Sequence, residues 1–263
     1  MNKTDYLQAM GVDVWVDKKT KVKAIAEEQT PELESNTSSR GLTAGSRKSD
    51  ELLDPAVKPR DDEAENINLL NSAHSGEKEK KNDWSSLKEE ALTCTACGLD
   101  QTRTHVVFGV GNQQADIMFI GEAPGAQEDK QGEPFVGRAG QLLTSMLKAI
   151  GLQREDVYIA NILKCRPQSN RDPKPEEVAL CTPFLTQQIA LIQPKVIVAL
   201  GGTSAHYLLN TSSPLGEMRE RALTYGEQNT PLVVTYHPAY LLRSLTEKRK
   251  AWQDLLRIKQ YLT

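Results

Sequence analysis

Four acids, Glu122, Glu128, Asp129 and Glu133, crowd a glycine- and proline-rich stretch, GEAPGAQEDKQGEPF, that follows the apolar run Ile117 to Ile120 and ends in Phe135. A strand feeding a loop whose glycines, here Gly121 and Gly125, let backbone approach a ligand is where open parallel sheets place their sites. An ordinary strand-to-helix turn is the competing reading of so short a motif. Asn161 closes a second apolar run in VYIANILKCRP, and His237 lies in TYHPAYLLR after a later one. A carboxamide donates and accepts side by side, an imidazole can stabilise a developing anion, and a phenyl ring offers a flat stacking face. Each alone has a duller explanation: a core phenylalanine, a strand-end asparagine cap, an exposed loop histidine. Their convergence on one sheet edge is what argues for a site.

The cysteines are Cys94, Cys97, Cys165 and Cys181. The Cys94-x-x-Cys97 pair is close enough to chelate, whereas the fold must bring Cys165 and Cys181 to it. Four thiolates with none to spare suggest one four-ligand site, and spacing alone does not separate zinc from an iron-sulfur cluster. Four unrelated buried thiols are the alternative, and disulfides are disfavoured in a cytosolic chain.

The elements that must position these residues alternate. Helices are predicted around Trp84 to Leu92, Ala139 to Ile150, Pro175 to Ile192, Thr203 to Leu209 and Thr246 to Tyr261, and strands at Asp116 to Ile120, Val157 to Asn161, Val196 to Leu200 and Leu232 to Thr235. Strands separated by helices of these lengths imply right-handed crossovers and a parallel sheet covered on both faces. The expected fold is three-layer α/β/α with a central, mainly parallel four-stranded sheet. Glu122, Asn161, Gly201 and His237 then fall at the carboxyl ends of its strands.

The chain has 263 residues, 38% hydrophobic and 5% aromatic, with a mean hydropathy of −0.50. The polar excess is local. Residues 18–82 are rich in Lys, Glu, Ser, Asn, Thr and Asp and cannot bury enough surface to offset chain entropy, which predicts a disordered linker. Residues 83–263 make one catalytic-sized domain. The first residues differ again: Tyr6, Leu7, Met10, Val12, Val14 and Trp15 form a short apolar cluster within residues 1–17, suggesting a tethered docking segment. Packing of this cluster on its own domain is the alternative. No apolar run reaches the ~20 residues of a membrane span, and the first residues lack a basic segment followed by an apolar one. The expectation is a cytoplasmic monomer, nucleoid-associated in a prokaryote. A net charge of −3 argues against a nucleic-acid partner, but the acidic linker dilutes local basic groups at Lys164, Arg166 and Arg171 and at Arg243, Lys248, Arg249 and Lys250. The Lys248 to Lys250 run reads equally as a solvated helix face.

Together the first-strand motif, Asn161 and TYHPAYLLR, in order over roughly Leu92 to Leu262, resemble the family 4 uracil-DNA glycosylases, the iron-sulfur branch of the uracil-DNA glycosylase superfamily. The resemblance implies a monofunctional enzyme that flips uracil from single- or double-stranded DNA and hydrolyses its N-glycosidic bond. It implies that Cys94, Cys97, Cys165 and Cys181 hold a [4Fe-4S] cluster, with zinc the lesser competitor. Phe135 would stack on the base, Asn161 would read its edge, and His237 would hydrogen-bond the 2-carbonyl as charge builds. Glu122 and Ala123 would line the pocket, and Glu128 would lie near the C5 edge, where thymine carries its methyl. Better-known superfamily members carry a water-orienting aspartate where this chain has Ala123, so that base is absent. Leu241 would be the minor-groove wedge, with Leu242 the alternative, and Arg243, Arg166 and Arg171 would hold phosphates. The N-terminal segment is faintly similar to the clamp-loader-binding segment of the bacterial replicative polymerase psi subunit, which suggests a replication partner.

Two rivals belong to other classes. A catalytically silent glycosylase-fold module for DNA binding or replication has no need of Asn161, His237 and Phe135 together. A redox protein is disfavoured by the dispersed cysteines and by the lack of a dinucleotide glycine fingerprint after a first strand.

Overall fold

The computed structural model describes residues 83–262; the expected docking segment and linker lie outside them. Six strands form one sheet in the order β1-β3-β2-β4-β6-β5. Its centre is parallel: β2 (Ile117–Gly121) lies between β3 (Tyr158–Asn161) and β4 (Val196–Leu200), and β4 pairs with β6 (Thr230–Thr235). The sequence predicts four strands, and the sheet has six, of which these four make the parallel core. Two short strands extend it, β1 (Val110–Gly111) and β5 (Leu223–Tyr225), each antiparallel to its neighbour. At two and three residues they are too short to carry a periodic signal.

Strand side chains alternate between two cores. Met118, Ile120, Tyr158, Ala160, Ile197, Ala199, Leu232 and Val234 face α1 (Trp84–Thr93), α4 (Pro175–Ile192), α5 (Gly202–Leu209) and α6 (Leu215–Arg219). Ile117, Phe119, Ile159, Val196, Val198, Leu200 and Val233 face α3 (Arg138–Ala149), α7 (Pro238–Leu241) and α8 (Lys248–Lys259). This is the three-layer arrangement expected from the chain. The β2 to β3 crossover runs through α3 on one face and the β3 to β4 crossover through α4 on the other, so strand order reverses beside β2. A crevice at the carboxyl end of a sheet opens at such a reversal.

Local chemistry explains the element ends. Asp83 caps α1 by accepting from the Ser86 amide at 2.8 Å. Pro175 opens α4, and Glu177 in its first turn accepts from the Lys174 amide at 2.9 Å. The acidic stretch read as loop contains a one-and-a-half-turn helix, α2 (Ala126–Gln131), closed by Gly132 at φ 75°. Its sequence, AQEDKQ, has no apolar stripe, so only the two bounding glycines hinted at it.

Candidate active site

A cleft of about 510 Å³ opens at the carboxyl ends of β2, β3 and β6, lined by Glu122, Ala123, Pro124, Gly125, Glu128, Phe135, Ala139, Asn161, Pro167, Asn170, Arg171, His237, Ala239, Tyr240 and Arg243. Pockets of a few hundred cubic ångströms suit a single planar ligand. Asn161 is the last residue of β3 and is 2% exposed. Its backbone carbonyl accepts from the buried Lys164 ammonium at 2.9 Å, and that ammonium also donates to Gln188 at 2.6 Å. The Asn161 side chain is held differently: among the described residues its Oδ1 has no hydrogen-bond partner. A buried acceptor left unpaired costs about 1–3 kcal/mol, so it marks a place for a donor from outside the chain.

Gly121 abuts this amide. A Cβ there would collide with Asn161 Oδ1 and with the Phe135 ring, so the glycine is what lets the amide and the ring approach each other. Phe135 is 6% exposed and adopts φ 54°, a left-handed conformation that costs a non-glycine residue about 1–3 kcal/mol. Gly140 makes room for it, since a Cβ there would strike the Phe135 carbonyl. The Glu128 carboxylate accepts from the Val136 and Gly137 amides at 3.0 and 2.9 Å, at the start of α3, where a negative charge suits the helix dipole.

His237 opens α7 as its N-cap, its Nδ1 accepting from the Ala239 amide at 3.1 Å. An Nδ1 that accepts from an amide carries no proton, so the neutral ring bears its hydrogen on Nε2. Burial, with Arg243 nearby, pulls its pKa down to about 4, and Glu128 opposes this. The ring lies 5.6 Å from that of Phe135. Burial raises the Glu122 carboxyl above its usual range, partly offset by the Thr203 hydroxyl.

The four cysteines line one small pocket on the α1 and α4 side, with Ala91, Ala96, Arg103, Lys164, Leu180 and Phe184. None is in a disulfide. Cys94 ends α1, Cys97 precedes a 3₁₀ turn, Cys165 follows β3 and Cys181 lies within α4. The Arg103 guanidinium donates to Cys165 Sγ at 3.0 Å and the Lys164 amide to Cys181 Sγ at 3.2 Å. Burial raises both of these thiol pKa values, that of Cys181 to about 11. Among the described residues no three His, Cys, Asp or Glu side chains converge as a single-ion site does. Four thiols lining one pocket are a donor set that fits a sulfur-ligated iron-sulfur cluster, and equally a tetrahedral zinc ion.

The family description "Uracil DNA glycosylase superfamily" matches residues 108–256. A type-4 uracil-DNA glycosylase of Thermotoga maritima is 44% identical over 181 residues, 67% of this chain and 93% of that protein. Those of Archaeoglobus fulgidus and Sulfurisphaera tokodaii are 48% and 42% identical, spanning 58% and 66% of this chain and 80% and 82% of theirs. This chain is an enzyme of the type-4 uracil-DNA glycosylase family. In this type-4 glycosylase the residues expected from the sequence to contact the base, Glu122, Ala123, Glu128, Phe135, Asn161 and His237, all line this cleft.

The DNA-facing expectations divide. Leu241 is fully buried in the core beneath α3 and α8, so it is not an exposed wedge; Leu242 is half-buried beside it. In a one-turn helix begun by His237-Pro238, the face holding Leu241 turns inward. From α7 both Ala239 and Tyr240 line the cleft, and Tyr240 is 39% exposed and stacked on Tyr236 at 5.3 Å. Arg243 is exposed at the rim. Arg171 also lines the cleft but is forked onto Glu177, with Nη1 2.9 Å from Oε2. Arg166 lies outside the lining, its Nε donating to Asn170 at 2.7 Å. Lys164 and Lys248, counted among the basic rim groups, are buried. Asp129 is buried too and accepts from the Thr104 amide at 2.8 Å. Sequence reasoning passed over Tyr240 and Asn170; the first stands inside the quoted TYHPAYLLR, where its aromatic ring was the available signal.

Proposed function

We propose that this enzyme removes uracil from single- and double-stranded DNA by hydrolysing the N-glycosidic bond, leaving an abasic site for base excision repair. The orphaned Asn161 Oδ1 carries the reading: it is a buried acceptor in a cleft suited to one planar base. Uracil offers an imide N–H to that oxygen and a 4-carbonyl to the amide nitrogen. Cytosine reverses both polarities and leaves the site's groups unpaired, a mismatch worth large discrimination.

An extruded uracil stacks on Phe135 and places its 2-carbonyl toward His237. Because Nδ1 is already an acceptor, the imidazole meets the departing base with its Nε2–H. A neutral ring suits this, since it stabilises the growing anion without having to give up a proton. With Ala123 where an aspartate would orient water, catalysis rests on stabilising the leaving base and, through Glu122 and Glu128, the cationic sugar. Glu128 also narrows the pocket at the C5 edge, against the methyl of thymine. Arg243 and Arg166 hold phosphates, while Tyr240 and Leu242 meet the duplex at the mouth of the cleft.

Cys94, Cys97, Cys165 and Cys181 would hold a [4Fe-4S] cluster. When bound, it would supply a cross-link among four chain segments beside the site. Residues 83–263 form the catalytic domain of a cytoplasmic, monomeric protein, and residues 1–17, on the polar segment 18–82, serve as a docking peptide for a replication partner such as a clamp loader. Among the described residues no helix is long and apolar enough to cross a membrane.

The test is strand scission by alkali after incubation with oligonucleotides carrying one uracil, thymine or cytosine. Uracil strands are expected to break in both single and double strands, with little scission at thymine. Intact uracil strands at stoichiometric enzyme would overturn the assignment.

A further inference from the structure

Both backbone dihedrals of Phe135 are held by side chains. Arg154 spans two successive carbonyls, Nη2 donating to Pro134 O at 2.9 Å and Nη1 to Phe135 O at 3.2 Å. On the other side, Glu128 Oε1 accepts from the Val136 amide at 3.0 Å. The 135–136 peptide is therefore gripped at both ends, by a guanidinium on its oxygen and a carboxylate on its nitrogen, and the preceding peptide is fixed through Pro134 O. This matters because Phe135 sits at φ 54°. A glycine would take that conformation unaided but has no ring, whereas a phenylalanine relaxes from it unless the surroundings hold it.

Arg154 is well placed for this work. It begins a 3₁₀ turn, Arg154–Asp156, closed by Asp156 Oδ2 accepting from the Gln153 amide at 2.7 Å, directly ahead of β3. The same strand ends in Asn161, so one rigid element presents the amide at one end and the clamp at the other. Only the planar fork of an arginine reaches both carbonyls; a lysine ammonium is a point donor.

We propose that Arg154 is a positioning residue for base recognition, acting through the Phe135 backbone to hold the phenyl ring against the Asn161 amide, an inference that rests on reading the cleft as a uracil pocket. Arg154 is not among the residues that line the cleft. Its removal frees the ring to leave the cleft and has no consequence where the ring is already gone.

A double-mutant cycle on single-turnover uracil release tests this. Arg154→Ala is expected to slow release ~10-fold in the parent but by no more than ~2-fold in a Phe135→Ala background, the signature of two groups acting as a unit. Arg154→Lys, which keeps the charge and one contact, is expected to fall between. Equal losses in both backgrounds, or an Arg154→Ala variant at full rate, would overturn the proposal. A second readout is independent of catalysis: with 4-fluorophenylalanine at position 135, the single ¹⁹F resonance of the parent is expected to shift or split in Arg154→Lys. An unchanged resonance would also overturn the clamp. A parent protein that released no uracil would sink the proposed function and leave the clamp to be judged on this resonance alone.

Discussion

Lys164 touches both the cysteine pocket, which it lines, and the cleft residue Asn161, whose carbonyl its ammonium holds, yet the two sites are built on opposite logic. In the cleft several groups are already held by the chain: Glu128 Oε1 on two amides, His237 on the Ala239 amide and the Asn161 backbone on Lys164, while Asn161 Oδ1 is a buried acceptor with no partner among the described residues. In the cysteine pocket four segments bring thiols around a space, and burial favours the protonated form of Cys165 and Cys181. The first is organised before its ligand arrives. In the second, the proposed cluster would hold the segments together and make thiolates of buried thiols. A site for fast chemistry gains from preorganisation, whereas a structural site can be completed by what it binds.

The sharpest break in this contrast comes from the leftover acceptor. Asn161→Ala should slow single-turnover uracil release at least ~100-fold, because a pocket built to read hydrogen bonds loses its discrimination when the reader goes. His237→Ala should cost about 10²-fold, the worth of one anion-stabilising donor. The parent's pH profile refines that assignment. With the His237 pKa near 4, the neutral ring persists as pH falls from 8 to 5, so its contribution to rate should stay level and decline only as pH approaches 4. The same depression has a stability consequence: between the unfolded histidine value near 6.5 and about 4 the unfolded chain binds the extra proton, so this stabilisation is present above pH 6.5 and lost as pH falls through that window. A rate falling through pH 6.5 would contradict the neutral-ring assignment.

On the other side of the comparison, Cys165→Ser should abolish visible absorbance, reduce bound iron and lower the melting temperature, while the uracil preference of the protein that remains folded persists. Iron analysis and melting curves check this, and loss of uracil preference with stability intact would reverse the roles assigned to the two regions. The smallest effects belong to the rim. Arg243→Ala should weaken DNA binding at all sequences and reduce the salt slope by about 1, the mark of one lost phosphate contact. Arg171→Ala should leave that slope nearly unchanged and instead lower the melting temperature, because its guanidinium already serves Glu177 at the start of α4.

Much of the scaffold could be read from residue order. Continuous apolar runs identified β2, β3, β4 and β6, and Pro175 identified the start of α4, because buried parallel strands and proline-led helices leave strong local signals. Several of the candidate site residues were legible for a related reason: Glu122, Ala123 and His237 sit one or two positions beyond such a strand and Asn161 ends one, whereas Glu128 and Phe135 lie farther along the chain after β2 and were marked by residue type alone. What escaped had weaker local causes. The polar helix α2 has no apolar stripe, and β1 and β5 are shorter than any period. The burial of Leu241 depends on how a one-turn helix rolls against α3 and α8, which no spacing rule reports. Lys164 looked like a rim cation because its acceptors, Asn161 O and Gln188, are supplied by tertiary structure. The Arg154 clamp was invisible for the same reason, since its targets are backbone carbonyls roughly twenty positions away.

The central claim is that Asn161 Oδ1 receives the imide hydrogen of an extruded uracil, and the most direct measurement compares uracil with N3-methyluracil in otherwise identical oligonucleotides under single-turnover conditions. The account predicts that the parent enzyme releases uracil at least ~100-fold faster than its methylated counterpart, and that Asn161→Ala erases most of that preference. Equal release of both bases by the parent, or a preference untouched by Asn161→Ala, would contradict it.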